Sequence, residues 1–157
     1  MRWRKYAAIA GLLSPLGMWA PGCTASSVEP PPAAPDRARF ATDVLPILAR
    51  DCAFPDCHGD ARRFLRVYVP GRTRLDPSTA LLAPITELEI DASYERARSM
   101  LQASEDDPVG EAPLLRKPLD VAAGGASHRG LDRYGRDVFS STDDPRYQAI
   151  AAWIEGR

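Results

Sequence analysis

The stretch Asp51–Asp60, "DCAFPDCHGD", decides how this chain is read. It holds two of the three cysteines, Cys52 and Cys57, with four residues between them and His58 directly after the second. Two thiols and an imidazole set so closely invite a shared chemistry, and the rest of the chain has to say which one.

A chain of 157 residues, 45% hydrophobic and 26% charged, is the length and composition of one small soluble domain. Its 15 prolines and 11 glycines imply long loops and a small core. The net charge is −1, and it becomes more acidic once Arg2, Arg4 and Lys5 are set aside with the leader described next. That balance argues against nucleic acid as a partner.

Residues 1–23 read as a targeting segment. Arg2, Arg4 and Lys5 open it, and "YAAIAGLLSPLGMWA" follows as an apolar run too short, and too broken by Pro15, to span a bilayer. The segment ends in "APGC", where Gly22-Cys23 resembles the end of a bacterial lipobox. On that reading Cys23 is acylated and becomes the new N-terminus, which holds the protein on a membrane surface without spanning it. Ala20 and Pro21 replace the usual pair before the glycine, and cleavage by ordinary signal peptidase without a lipid is the alternative. Residues 24–39, "TASSVEPPPAAPDRAR", have no face to bury and read as a Pro-rich, semi-stiff tether. The folded domain is expected over residues 40–157.

With Cys23 lipidated, Cys52 and Cys57 are the remaining pair, in a compartment where thiols do not stay free by default. A short-loop disulfide would staple a small domain but gives His58 no role. Structural zinc would use His58, yet adjacent Cys57 and His58 are awkward together on a tetrahedral ion, and only distant His128 is left as a fourth ligand. Covalent haem uses all three residues, with two thioethers from the cysteines and His58 as proximal axial ligand of the iron. It is the favoured reading. The cysteine loop is longer than C-x-x-C-H, so "AFPD" must bulge, and Pro55 suits such a bulge.

Three helices are expected around the motif. In "FATDVLPILARDC", Phe40, Val44, Ile47 and Leu48 fall on one helical face. Pro46 leaves two possibilities: Asp43 caps the helix, or the helix starts near Phe40 and is kinked. "DASYERARSMLQAS" reads as a helix capped by Asp91 or Ser93, with Tyr94, Ala97 and Leu101 inward and Glu95 and Arg98 outward. "DDPRYQAIAAWIEG" has Asp144 as cap, Pro145 at the first position, Tyr147, Ile150, Ala151 and Ile154 on one side, and Gly156 as the stop. The first and last helices are expected to pack on each other. "RRFLRVYV" reads as a short extended segment or a loop.

"FATDVLPILARDCAFPDCHG" resembles the opening of planctomycete-type cytochrome c domains, in which an aromatic residue, a Val-x-Pro-Ile-Leu run and the haem cysteines follow in that order. "APLLRKPLDVAAGGASHRGLDRYGRDVFSSTDDPRYQAIAAWIEG" is similar to that family's closing pattern. The resemblance covers residues 40–156, loosely over 70–90. It implies a mainly α, cytochrome c-like domain with long loops, one covalent haem c on Cys52, Cys57 and His58, and electron transfer to redox partners in the cell envelope. For the sixth iron ligand, His128 in the loop "GGASHRG" is favoured over Met100, which reads as core filler. Arg62, Arg63 and Arg66 are partners for haem propionates or a solvated basic face. No nucleophile-and-base pair, phosphate loop or carboxylate pair stands out, so a carrier is expected rather than a catalyst. Two alternatives stay open: a haem-free, disulfide-stapled interaction domain of the envelope, and a small haem enzyme or sensor with an open sixth position.

Overall fold

The computed structural model describes residues 33–101, 106–128 and 137–157. Among them the regular structure is helical, and the only β feature is an isolated parallel bridge between Leu119 and Phe139. The first helix, α1, runs through three consecutive stretches: Arg37–Arg39, Phe40–Val44 and Leu45–Asp51. Asp36 caps it, its carboxylate accepting from the Arg39 N–H at 2.7 Å. The helix therefore starts before Phe40, and Asp43 is not its cap.

The middle stretch of α1 is wound as a π-helix, with the Leu45 N–H reaching back to the Phe40 carbonyl. Pro46 explains the winding. It has no N–H for the Thr42 carbonyl, and its ring would crowd that carbonyl in a regular α-turn. Inserting a wider turn relieves both problems and keeps the helix continuous.

Helix α2, Glu87–Arg98, starts earlier than either expected cap. Its cap is Thr86, which accepts from the Glu89 N–H at 3.2 Å while Glu89 accepts from the Thr86 N–H at 3.0 Å. This reciprocal box satisfies two N–H groups that a helix start leaves unpaired. Ser93 is instead fully buried inside the helix, where its hydroxyl accepts from the Tyr68 N–H at 3.0 Å. The helix also ends sooner than expected, leaving Met100 and Leu101 in the turn beyond it.

Glu89 has a second task. Its carboxylate takes a bidentate pair from Arg74, at 2.7 and 2.8 Å, with both side chains almost fully buried. The same guanidinium donates to the carbonyls of Ala80, Ala83 and Pro84, so one arginine holds the 80–84 loop against the start of α2. A charged pair taken out of water is stable only when its remaining donors and acceptors are satisfied, and here the loop carbonyls do that.

A short helix α3, Pro113–Arg116, and the last helix α4, Pro145–Ile154, complete the fold. Helix α4 follows its sequence signals: Asp144 caps it by accepting from the Arg146 N–H at 2.9 Å, and Gly156 has φ +71° just past the end. The terminal helices do pack. Phe40 and Trp153 lie 5.4 Å apart, and Tyr94 of α2 lies 5.6 Å from Phe40 and 6.3 Å from Trp153. The polar tips of this aromatic trio are also used: Trp153 Nε1 donates to the Asp36 carbonyl at 2.8 Å and the Tyr94 hydroxyl to the Pro35 carbonyl at 2.7 Å. The segment "RRFLRVYV" forms no strand; it is a loop whose Leu65, Val67, Tyr68 and Val69 are buried against the core.

Candidate functional site

Helix α1 ends at the cysteine motif, and its last turn delivers Cys52 into a cleft. The four residues that follow fold into a compact bulge. The Cys57 and Gly59 N–H groups both donate to the Phe54 carbonyl, at 2.8 and 2.9 Å, and the His58 N–H returns to the Cys52 carbonyl at 2.9 Å. The extra length of the loop is thus taken up outside, where Phe54, Pro55 and Asp56 are exposed and the Arg72 guanidinium stands 4.0 Å from the Phe54 ring centre. Gly59 is required by close approach: a Cβ there would sit 2.6 Å from the Ala53 carbonyl oxygen.

Cys52, Cys57, His58, Met100 and His128 all line one cleft. Its walls are otherwise chiefly apolar: Leu48 from α1, Leu65 from the loop after the motif, Leu114 from α3, Val138 and Phe139 near the parallel bridge, and Ile150 from α4. Asp51 and Lys117 are the charged residues in the lining. Both cysteines are free thiols. Burial, together with the neighbouring Asp51 carboxylate, pushes the Cys52 thiol up to about 12.

The two histidines face this cleft from different elements, with ring centres 6.0 Å apart and planes inclined by only 20°. His58 Nδ1 lies 2.9 Å from the Leu65 carbonyl. A carbonyl only accepts, so Nδ1 carries the hydrogen and Nε2 keeps a free lone pair, the arrangement that commonly orients a metal-binding imidazole. Burial lowers the His58 pKa, against the opposing effect of the Leu65 hydrogen bond, and so favours the neutral ring that ligation needs.

His128 is held by backbone packing rather than by its own ring. Gly125 presses so closely on residues 119 and 120 that a Cβ would fall 1.8 Å from the Leu119 carbonyl oxygen. The Gly125 N–H donates to the Asp120 carbonyl at 3.0 Å, and the Ala126 N–H to the Arg116 carbonyl at 2.8 Å. These contacts lead the chain from α3 to His128. Its Nδ1 is buried with no hydrogen-bond partner. Such an orphan costs about 1–3 kcal/mol unless something else occupies it.

Met100 reaches the cleft from the turn after α2, anchored by the Leu114 N–H donating to its carbonyl at 2.9 Å. Arg62, Arg63 and Arg66 do not line the cleft: Arg62 folds onto Asp60, Arg63 reaches the Asp56 carbonyl, and Arg66 donates to the Ala61 carbonyl and the Tyr68 hydroxyl. Cys23 lies outside the described residues. Among the described residues there is no group of three or more His, Cys, Asp or Glu side chains arranged to cage a bare metal ion, and no helix is long and apolar enough to cross a membrane.

Two contributors were not read from the sequence. They are Asp51, in the lining of the cleft, and Gly125, whose close approach to residues 119 and 120 leads the chain to His128. For Asp51 no local signal exists, because its significance lies in Arg146, 95 residues later. No protein-family model, curated protein or solved structure matches this chain.

Proposed function

We propose that this protein is a mono-haem, c-type electron carrier of the bacterial cell envelope, with a cytochrome c-like domain carried on a lipidated Cys23 and a Pro-rich tether. The observation that carries the reading is the pair of imidazoles in one apolar cleft beside two free cysteines. His58 has its Nε2 free and its ring neutral, and His128 has an unpartnered buried nitrogen. These donors, in an apolar cleft beside Cys52 and Cys57, support the haem reading.

Cys52 and Cys57 would hold the group through thioethers, His58 would be its proximal ligand and His128 its distal one, with Met100 as the rival. When bound, haem supplies reversible one-electron transfer at its iron. The chain's own part is to fix both imidazoles, to exclude water with Leu48, Leu65, Leu114 and Phe139, and to keep His58 in the tautomer that leaves Nε2 free. Partners would be redox proteins of the envelope.

The test is expression with a cytochrome c maturation system. The purified protein should keep its colour through acid-acetone extraction and denaturing electrophoresis, and Cys52→Ser together with Cys57→Ser should lose it. A colourless protein of apo mass bearing a Cys52–Cys57 bridge would end the carrier reading in favour of the stapled interaction domain.

A further inference from the structure

We propose that Arg146 is a positioning residue of the cleft: from behind its wall it ties Asp51 to Val138 and neutralises the Asp51 charge, and so sets the electrostatic level of the site. Asp51 and Val138 separate two spaces, since both line the apolar cleft and also a neighbouring polar hollow. Arg146 lines the hollow and not the cleft. It donates to Asp51 Oδ2 at 3.1 Å, to the Val138 carbonyl at 2.9 Å and to Asp144 Oδ1 at 2.9 Å. Its guanidinium carbon also stands 5.2 Å from the ring centre of Phe139, the next residue in the cleft wall. One side chain thus joins the end of α1, the start of α4 and the wall at 138–139. Each of its three nitrogens makes at least one of these bonds.

The charges explain why this matters. Asp51 adjoins Cys52, and its side chain is only 15% exposed. Arg50 also pairs with Asp51, but it is 64% exposed against 32% for Arg146, so water screens it more strongly. Without Arg146, Asp51 keeps its ion pair with Arg50 while Asp144 loses its pair with Arg146. An uncompensated negative charge at the wall opposes the arrival of an electron, and it also opposes ionisation of the Cys52 thiol, which Arg146 favours and Asp51 disfavours.

One arm of the test rests on the haem reading and the other does not. In the haem-loaded full chain, Arg146→Gln should lower the midpoint potential, Arg146→Lys should recover most of the loss, and Asp51→Asn with Arg146→Gln should return close to the starting value. In haem-free protein carrying Cys57→Ser, alkylation of Cys52 by iodoacetamide should be several-fold slower with Arg146→Gln and not slower in the double variant. An unchanged potential and alkylation rate in Arg146→Gln, or equal shifts in the single and double variants, would overturn the proposal and leave Arg146 a structural tie. Failure to take up haem would sink the carrier reading, and the alkylation arm would then decide this one. If Arg146→Gln does not fold, Asp51→Asn alone must raise the potential and quicken alkylation.

Discussion

At the scale of single residues, two adjacent glycines differ sharply in what they permit. Gly124 has φ +95° but open space around its missing side chain, whereas Gly125 has no room for a Cβ at all. Gly124→Ala should cost about 1–2 kcal/mol of stability from the left-handed backbone and leave the site intact. Gly125→Ala must push the 119–128 segment apart and displace His128. If His128 is the distal ligand, the haem-loaded Gly125→Ala protein should develop the same high-spin absorption as His128→Ala, while Gly124→Ala and Met100→Ala remain low-spin. A low-spin Gly125→Ala and a high-spin Met100→Ala would transfer the assignment to the methionine.

At the scale of elements, the start of α2 depends on a buried charge. The Arg74 guanidinium, bonded to both oxygens, holds the Glu89 carboxyl down at about 2 from its ordinary 4.5. The unfolded chain therefore takes up the proton first as pH falls. The stabilisation is complete above about pH 4.5 and is lost as pH drops through about 2. Glu89→Gln should destabilise the protein at pH 7 by about 3–5 kcal/mol, because Arg74 is left buried with half a partner. Urea unfolding at pH 7 and pH 3 checks both points: the variant should lose less stability between the two than the native chain, with Asp144, also held low by Arg146, accounting for part of the remaining slope. An equally steep loss in Glu89→Gln would show that Glu89 does not govern the acid limb.

At the scale of the whole molecule, closure depends on the chain's two ends meeting. Trp153 is fully buried between Phe40 and Tyr94, and its indole holds the Asp36 carbonyl. Trp153→Ala should cost about 3–5 kcal/mol and Trp153→Phe markedly less, since the phenyl ring refills most of the space and loses mainly the hydrogen bond. Thermal unfolding measures the difference. A cost below about 1 kcal/mol for the alanine variant would mean that the terminal helices are not what closes the fold.

Local signals in the sequence determined those features whose causes are local. Asp144, Pro145 and Gly156 bound α4 because a cap, a first-turn proline and a glycine stop each act within one turn of the helix. Apolar spacing places Phe40, Val44, Leu48, Tyr147, Ile150 and Ala151 inward on α1 and α4, while Ile47 and Ile154 are only partly buried and Leu45 and Trp153 are buried as well. Cys52, Cys57 and His58 were legible as a group because they share one short loop. The Thr86-Glu89 box was equally local, and it was missed because the apolar pattern further along drew the expected cap to Asp91 or Ser93. Tertiary structure alone decided the rest. It brought His128 within 6.0 Å of His58, paired Arg74 with Glu89 and set Arg146 behind Asp51. The physical reason is common to all three: each is an interaction across at least 15 residues, whose partners are selected by how the helices pack and not by any spacing along the chain.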